Sequence, residues 1–190
     1  MTGTEEKGAG PAGDATGSPR GRLAAVVLAA GSASRFGSTK VLAPLGDRPI
    51  LQHVLDAVAA AGIADVVVVL GSAAAEVEVG IRWRGERRVH NPEPERGLSS
   101  SLQVGLRALE AGNFAAVGAA VVLLGDQPLV DPHVIRALED AWRGGLGPIV
   151  AARYSADAAP NPVLLDRSAW PLGLALEGDR GMGPILDRII

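Results

Sequence analysis

Beyond its first 22 residues the chain alternates continuous apolar runs with segments of helical period. Ala24-Ala-Val-Val-Leu-Ala-Ala30 is apolar at every position and stops at Gly31, the pattern of a strand covered on both faces. Between Pro49 and Ala61, the residues Ile50, Leu51, Val54, Leu55 and Val58 form one apolar helical stripe. Asp65-Val-Val-Val-Val-Leu-Gly71 repeats the buried-strand pattern. A short helix is expected near Ala73–Val79 and a short strand near Arg87–His90. Ser99–Glu110 follows as a helix with Leu102, Leu106 and Leu109 inward, then a buried strand at Ala119–Leu124. A helix at Pro132–Arg143 and a strand at Ile149–Tyr154 complete the pattern. Such alternation predicts an α/β class, a doubly wound and mostly parallel Rossmann-like sheet between two helix layers. Ligands of such sheets sit beyond the carboxyl ends of the strands, where strand order reverses. Chemistry is therefore expected just after Ala30, Leu70 and Leu124.

Composition narrows the picture. Met1–Arg22 holds no aromatic or branched aliphatic residue, so it reads as a flexible tail, and residues 23–190 read as one domain. The chain has 190 residues, 47% of them hydrophobic and 21% charged, which excludes a disordered polyelectrolyte. It has no cysteine, which removes disulfides and thiol nucleophiles and fits a reducing, cytoplasmic setting. A net charge of −3 argues against a nucleic-acid or anionic-membrane partner. The longest apolar stretch, Phe114–Leu124, is eleven residues, whereas a spanning helix needs about 20. The first 22 residues also lack the apolar core of a signal peptide.

The loop after the first strand reads Leu28-Ala29-Ala30-Gly31-Ser32-Ala-Ser-Arg35-Phe-Gly37-Ser-Thr-Lys40. Glycines and small hydroxyl residues let backbone N–H groups approach an anion. Arg35 offers a fork for phosphate oxygens and Lys40 a mobile point charge. The chain uses arginine sixteen times and lysine twice, with Lys7 in the tail, so Lys40 departs from its own habit. Neither the Walker spacing nor Gly-x-Gly-x-x-Gly is present. At the end of the later strand, Gly125-Asp126-Gln127-Pro128 puts a carboxylate on the same edge. A hard divalent cation that bridges to phosphates needs only one or two carboxylates. A turn aspartate before proline is the plainer alternative.

Leu-Ala-Ala-Gly-x-x-x-Arg-x-Gly-x-x-Lys resembles the opening signature of the MobA-like nucleotidyltransferases, which join an NTP to a phosphorylated acceptor and release pyrophosphate. The resemblance gives Asp126, in its Gly-Asp-x-Pro setting, the role of holding Mg2+. It makes Arg35, Lys40 and Asp126 catalytic and puts Leu28, Ala29, Ala30, Gly31, Ser32 and Gly37 in the nucleotide loop. His90-Asn91-Pro92…Arg96-Gly97-Leu98-Ser99-Ser100-Ser101-Leu102 resembles a segment of the molybdenum-cofactor cytidylyltransferase branch and puts Asn91, Gly97 and Ser101 near the nucleotide. Helix capping by Ser99 or Ser100 is an equal reading of the same residues. Asn161-Pro162-Val163 and Gly178-Asp179-Arg180-Gly181 resemble acceptor-side segments of that branch, which makes Asn161 and Asp179 acceptor residues. The resemblance runs from about Leu23 to Leu186 and implies CTP and a molybdopterin-type acceptor, with a molybdoenzyme maturation protein as passing partner. Ala30, where guanylyltransferase relatives carry a second glycine, leans toward CTP. Guanylyl transfer, a sugar-phosphate acceptor and an inactive nucleotide-binding module stay open. The chain ends at Arg188-Ile189-Ile190 without the family's Asp-x-Asp-Thr-Pro-type segment, so either a missing C-terminal part or an incomplete metal site is expected. The Arg82–Arg88 cluster reads as a solvated surface loop, and His53, His90 and His133 lack metal-ligand spacing.

Overall fold

A computed structural model describes residues 20–31, 39–112, 114–155 and 159–178. β1 (Arg22–Ala29) leads through a 3-10 turn at Lys40–Leu42 to a small hairpin, β2 (Pro44–Leu45) and β3 (Arg48–Pro49). There follow α1 (Ile50–Ala60), β4 (Asp65–Leu70), α2 (Ala74–Gly80), β5 (Arg87–His90) and α3 (Leu98–Ala111). β6 (Val117–Leu124), α4 (Pro132–Arg143), β7 (Ile149–Ala151), β8 (Val163–Asp166) and α5 (Trp170–Leu174) complete the described chain. The tail residues 1–19 lie outside the described residues; Arg22, placed at the tail's end by sequence, already opens β1.

The main sheet has the order β5-β4-β1-β6-β8-β7. β1 pairs in parallel with β4 and β6, and β4 with β5, while β8 runs antiparallel to both its neighbours. The chain steps outward from β1 through β4 to β5, then returns to place β6 on the other side of β1. The reversal of order thus falls between β1 and β6, the crevice where open α/β sheets bind ligands.

Side-chain alternation along β1 builds a core on each face. Leu23, Ala25, Val27 and Ala29 pack with Leu51, Val54 and Leu55 of α1 and with Ile135, Leu138 and Trp142 of α4. Ala24, Val26, Leu28 and Ala30 pack with Leu102, Leu106 and Leu109 of α3 and Trp170 of α5. The result is the expected three-layer, doubly wound and mostly parallel α/β fold. α4 begins as its sequence dictates: Pro132 occupies the first turn and Asp131 Oδ1 accepts from His133 N at 2.8 Å. Trp142 is fully buried and donates from Nε1 to Asp166 Oδ2 at 2.7 Å, tying α4 to the end of β8.

Two expectations need correction. The strand foreseen at Ile149–Tyr154 stops at Ala151, and Val163–Asp166 is a strand where only a binding segment was read. Four residues carry too little periodicity to announce a strand. β8 exists because β6 and β7 supply hydrogen-bond partners on both of its edges.

Candidate active site

The carboxyl ends of β1 and β6 meet at the reversal point. Gly125 N donates to Leu28 O at 2.8 Å, locking the two strand ends together. Leu28, Ala29 and Ala30 are buried, and a side chain at Gly31 would meet open space. At the end of β4, a Cβ on Gly71 would stand 2.4 Å from the Ala30 carbonyl oxygen, so glycine is required for β4 to end beside the loop. Ser32, Arg35 and Gly37 lie outside the described residues.

The chain is described again from Thr39, and the 3-10 turn that carries Lys40 is held on three sides. Thr39 Oγ1 donates to Glu76 Oε2 on α2 at 2.9 Å, Val41 is buried in the core, and Leu42 lies against Gly80. From this fixed base Lys40 Nζ reaches across the crevice to Asp126 Oδ2 at 2.6 Å. The two side chains are 54% and 38% exposed, and an ion pair so wet adds at most about 1 kcal/mol to stability. A cation and an anion held at the reversal point for so little stability are available for chemistry. Among the described residues no three His, Cys, Asp or Glu side chains converge on one point. Asp126 is the carboxylate that this edge sets beside Lys40, and one carboxylate suits a hard divalent ion carried on phosphates and completed by water.

Asn91, Gly97 and Ser101 lie at the neighbouring end of β5 and the start of α3. Asn91 is 1% exposed; its N–H donates to Leu70 O at 2.8 Å, and Nδ2 donates to Ser100 Oγ and Ser101 Oγ at 2.9 and 3.0 Å. Its Oδ1 accepts from Glu93 N at 3.0 Å. These contacts hold both ends of the carboxamide, so Asn91 braces the loop from within. Gly97 has φ 91°, a conformation that favours glycine, and it turns the chain into α3. No side chain caps α3, contrary to the capping reading of Ser99 or Ser100: Gly97 holds that position, and Ser99 N donates to Gly178 O at 3.2 Å.

Asn161 stands on the other side of Asp126, where its Nδ2 donates to Gln127 Oε1. Its backbone N–H donates to Ala152 O at 3.1 Å, which fixes the segment beside the end of β7. A groove of about 460 Å3 opens here, lined by Gln127, Pro128, Leu129, Val130, Tyr154, Asn161 and Pro162. Asp179 lies outside the described residues. Tyr154, Leu129 and the Thr39–Glu76 clamp were not foreseen. The chain's only tyrosine was a weak signal, and Thr39 and Glu76 are 37 residues apart, a pairing no local pattern announces.

The arginines of the Arg82–Arg88 cluster are exposed at the surface, and two of them pair with acidic side chains. Arg84 pairs with Asp56, and Arg88 pairs with Glu78 at 3.0 Å while lying 5.0 Å over the Trp83 ring. Burial alone would raise the Asp56 pKa, but hydrogen bonds from Arg84, Gln52 and Arg48 hold it below its ordinary value.

Comparison with known proteins shows the family. Residues 25–189 match the MobA-like NTP transferase domain. The Bifunctional protein GlmU of Sorangium cellulosum is 36% identical over 163 residues, which are 80% of this chain and 33% of that protein. The chain thus spans about a third of the length of the curated relatives it matches. The crystal structure of Rv0371c from Mycobacterium tuberculosis superposes with a TM-score of 0.77 at 30% identity, covering 88% of this chain and 82% of that one. Rv0371c has also been solved as a complex with manganese, with a TM-score of 0.72 at 28% identity, covering 87% and 82% of the two chains. A nucleotidyl transferase from Methanothermobacter thermautotroptrophicus gives a TM-score of 0.72 at 28% identity, covering 88% and 81%. With its reversal point formed by Leu28–Gly31 and Asp126, the chain belongs to the MobA-like NTP transferase domain family.

Proposed function

We propose that the chain is a Mg2+-dependent cytidylyltransferase of the cytoplasm, moving CMP from CTP onto the terminal phosphate of a molybdopterin-type acceptor. The Lys40–Asp126 pair, standing at the reversal point with the groove beginning at the next residue, carries this reading. An acceptor phosphate oxygen attacks the α-phosphorus of CTP, the bond between that phosphorus and the bridging oxygen to the β-phosphate breaks, and pyrophosphate leaves. No covalent enzyme intermediate is needed, because positioning and electrostatics suffice for phosphoryl chemistry. Lys40 neutralises charge on the departing pyrophosphate, with Arg35 and the loop amides as further donors. Asp126 would hold the Mg2+, which when bound supplies Lewis-acid neutralisation of phosphate charge. The manganese complex of Rv0371c supports use of a divalent ion.

Leu28–Gly31, Ser32, Gly37 and Lys40 form the nucleotide side in this reading, framed by Asn91, Gly97 and Ser101. Ala30 supports CTP over GTP. The groove supports the acceptor class. Its volume of about 460 Å3 suits a small organic ligand. Proline, leucine, valine and tyrosine surfaces suit a flat heterocycle better than a polyhydroxylated ring, and the Gln127–Asn161 carboxamides offer a hydrogen-bonding edge. Asp179 belongs to the same acceptor side, and a molybdoenzyme maturation protein would receive the product.

A thermal-shift panel of CTP, GTP, ATP and UTP, each with and without Mg2+, tests the nucleotide half. Selective stabilisation by CTP with Mg2+ is expected, about 2.7 kcal/mol at a hundredfold excess over Kd. A shift with no nucleotide would overturn the reading. Stabilisation without pyrophosphate release in the presence of acceptor would make the chain a binding module.

A further inference from the structure

We propose that Lys40 is an exchangeable stopper on Asp126. It neutralises the carboxylate in the nucleotide-free protein and moves to the triphosphate oxygens, so that the protein takes up its divalent cation together with the nucleotide rather than alone. The inference rests on the reading of Asp126 as the metal carboxylate.

Four observations support it. Lys40 Nζ stands 2.6 Å from Asp126 Oδ2 and is, among the described residues, the partner of that carboxylate. No group of three or more His, Cys, Asp or Glu side chains converges there among the described residues, so a bare dication would meet a carboxylate already neutralised by an ammonium. The base of Lys40 is fixed by the Thr39–Glu76 hydrogen bond and by buried Val41, which confines the exchange to the side-chain stem. Both partners are well exposed, so parting them needs no unpacking. The residue type fits as well. An arginine would hold the carboxylate through two parallel bonds, whereas an ammonium is a single charge on a rotatable stem. A chain with sixteen arginines and two lysines places a lysine here.

The consequence is a pair of effects with opposite sign. Removing the ammonium frees Asp126 for a metal and at the same time deprives the triphosphate of a donor. Electron paramagnetic resonance titration with Mn2+ reads the first in nucleotide-free protein; calorimetry with CTP and Mg2+ reads the second. Lys40→Met is expected to bind Mn2+ alone about three- to tenfold more tightly than the unaltered protein, a gain that narrows at high salt. It is expected to bind CTP with Mg2+ more weakly. Adding Asp126→Asn to Lys40→Met should abolish the Mn2+ gain, and Lys40→Arg should show none. Equal or weaker Mn2+ binding by Lys40→Met, while the unaltered protein still binds CTP with Mg2+, would overturn the stopper alone. Failure of the unaltered protein to bind CTP with or without Mg2+ would overturn the functional reading, and the stopper with it.

Discussion

Two polar clusters stand on the same edge of the sheet, and they are built on opposite principles. Around Asn91, which is 1% exposed, Nδ2 donates to Ser100 and Ser101 and Oδ1 accepts from Glu93 N, so both ends of the carboxamide are held. At Lys40 and Asp126 a cation and an anion meet half in water, with one contact between them. A buried polar group must be satisfied at once and permanently, because leaving it unpaired costs about 1–3 kcal/mol. A wet ion pair can change partners at little cost. On the proposed reading, the residues that the sequence assigns to one site therefore divide into a buried frame around Asn91 and a reactive pair, Lys40 and Asp126.

The largest expected effect tests the reactive pair. Asp126→Asn and Lys40→Ala should each lower pyrophosphate release about 10²–10³-fold, the scale for losing one charge-stabilising group. Their urea unfolding free energies should stay within about 1 kcal/mol of the unaltered protein. A large loss of stability in either would erase the contrast. Asn91→Ala should do the reverse. It leaves Glu93 N without its acceptor and removes the donor to Ser100 Oγ and Ser101 Oγ, costing about 1–3 kcal/mol in urea unfolding. If Asn91→Ala kept its stability and lost turnover, Asn91 would belong to the reactive side.

Smaller changes sharpen the comparison at its margins. Gln127→Ala and Tyr154→Ala should raise the acceptor KM about three- to tenfold and leave the CTP KM alone, since each removes one groove contact. Asp166 gives the smallest signal. Burial would raise its pKa, but hydrogen bonds from Ser168 and Trp142 together with the charge of Arg20 hold it below the ordinary 3.8. A depressed pKa contributes stability that is present above the unfolded value and lost as pH falls through the folded one. Asp166→Asn should therefore lower stability at neutral pH and flatten its decline below about pH 4 in a urea series. An unchanged acid limb would show that Asp166 does not report the α4–β8 contact.

Much of this was legible in the residues. The apolar run of β1 and the stripe of α1 announce themselves because each is a local period matched to one geometry. Lys40 stood out by composition and Asp126 by its place after a buried strand. β8 was not legible, since its four residues become a strand only between β6 and β7. Nor was the role of Asn91, whose motif gives no sign of whether its amide faces a ligand or the interior.

The sequence alone determined the class of fold and the order of its main strands and helices from β1 to α4, because hydrophobic period acts over short range. Tertiary structure decided which polar residues are free to react. That depends on burial and on partners as far apart as Thr39 and Glu76 or Lys40 and Asp126, which only the closed sheet brings within hydrogen-bond distance.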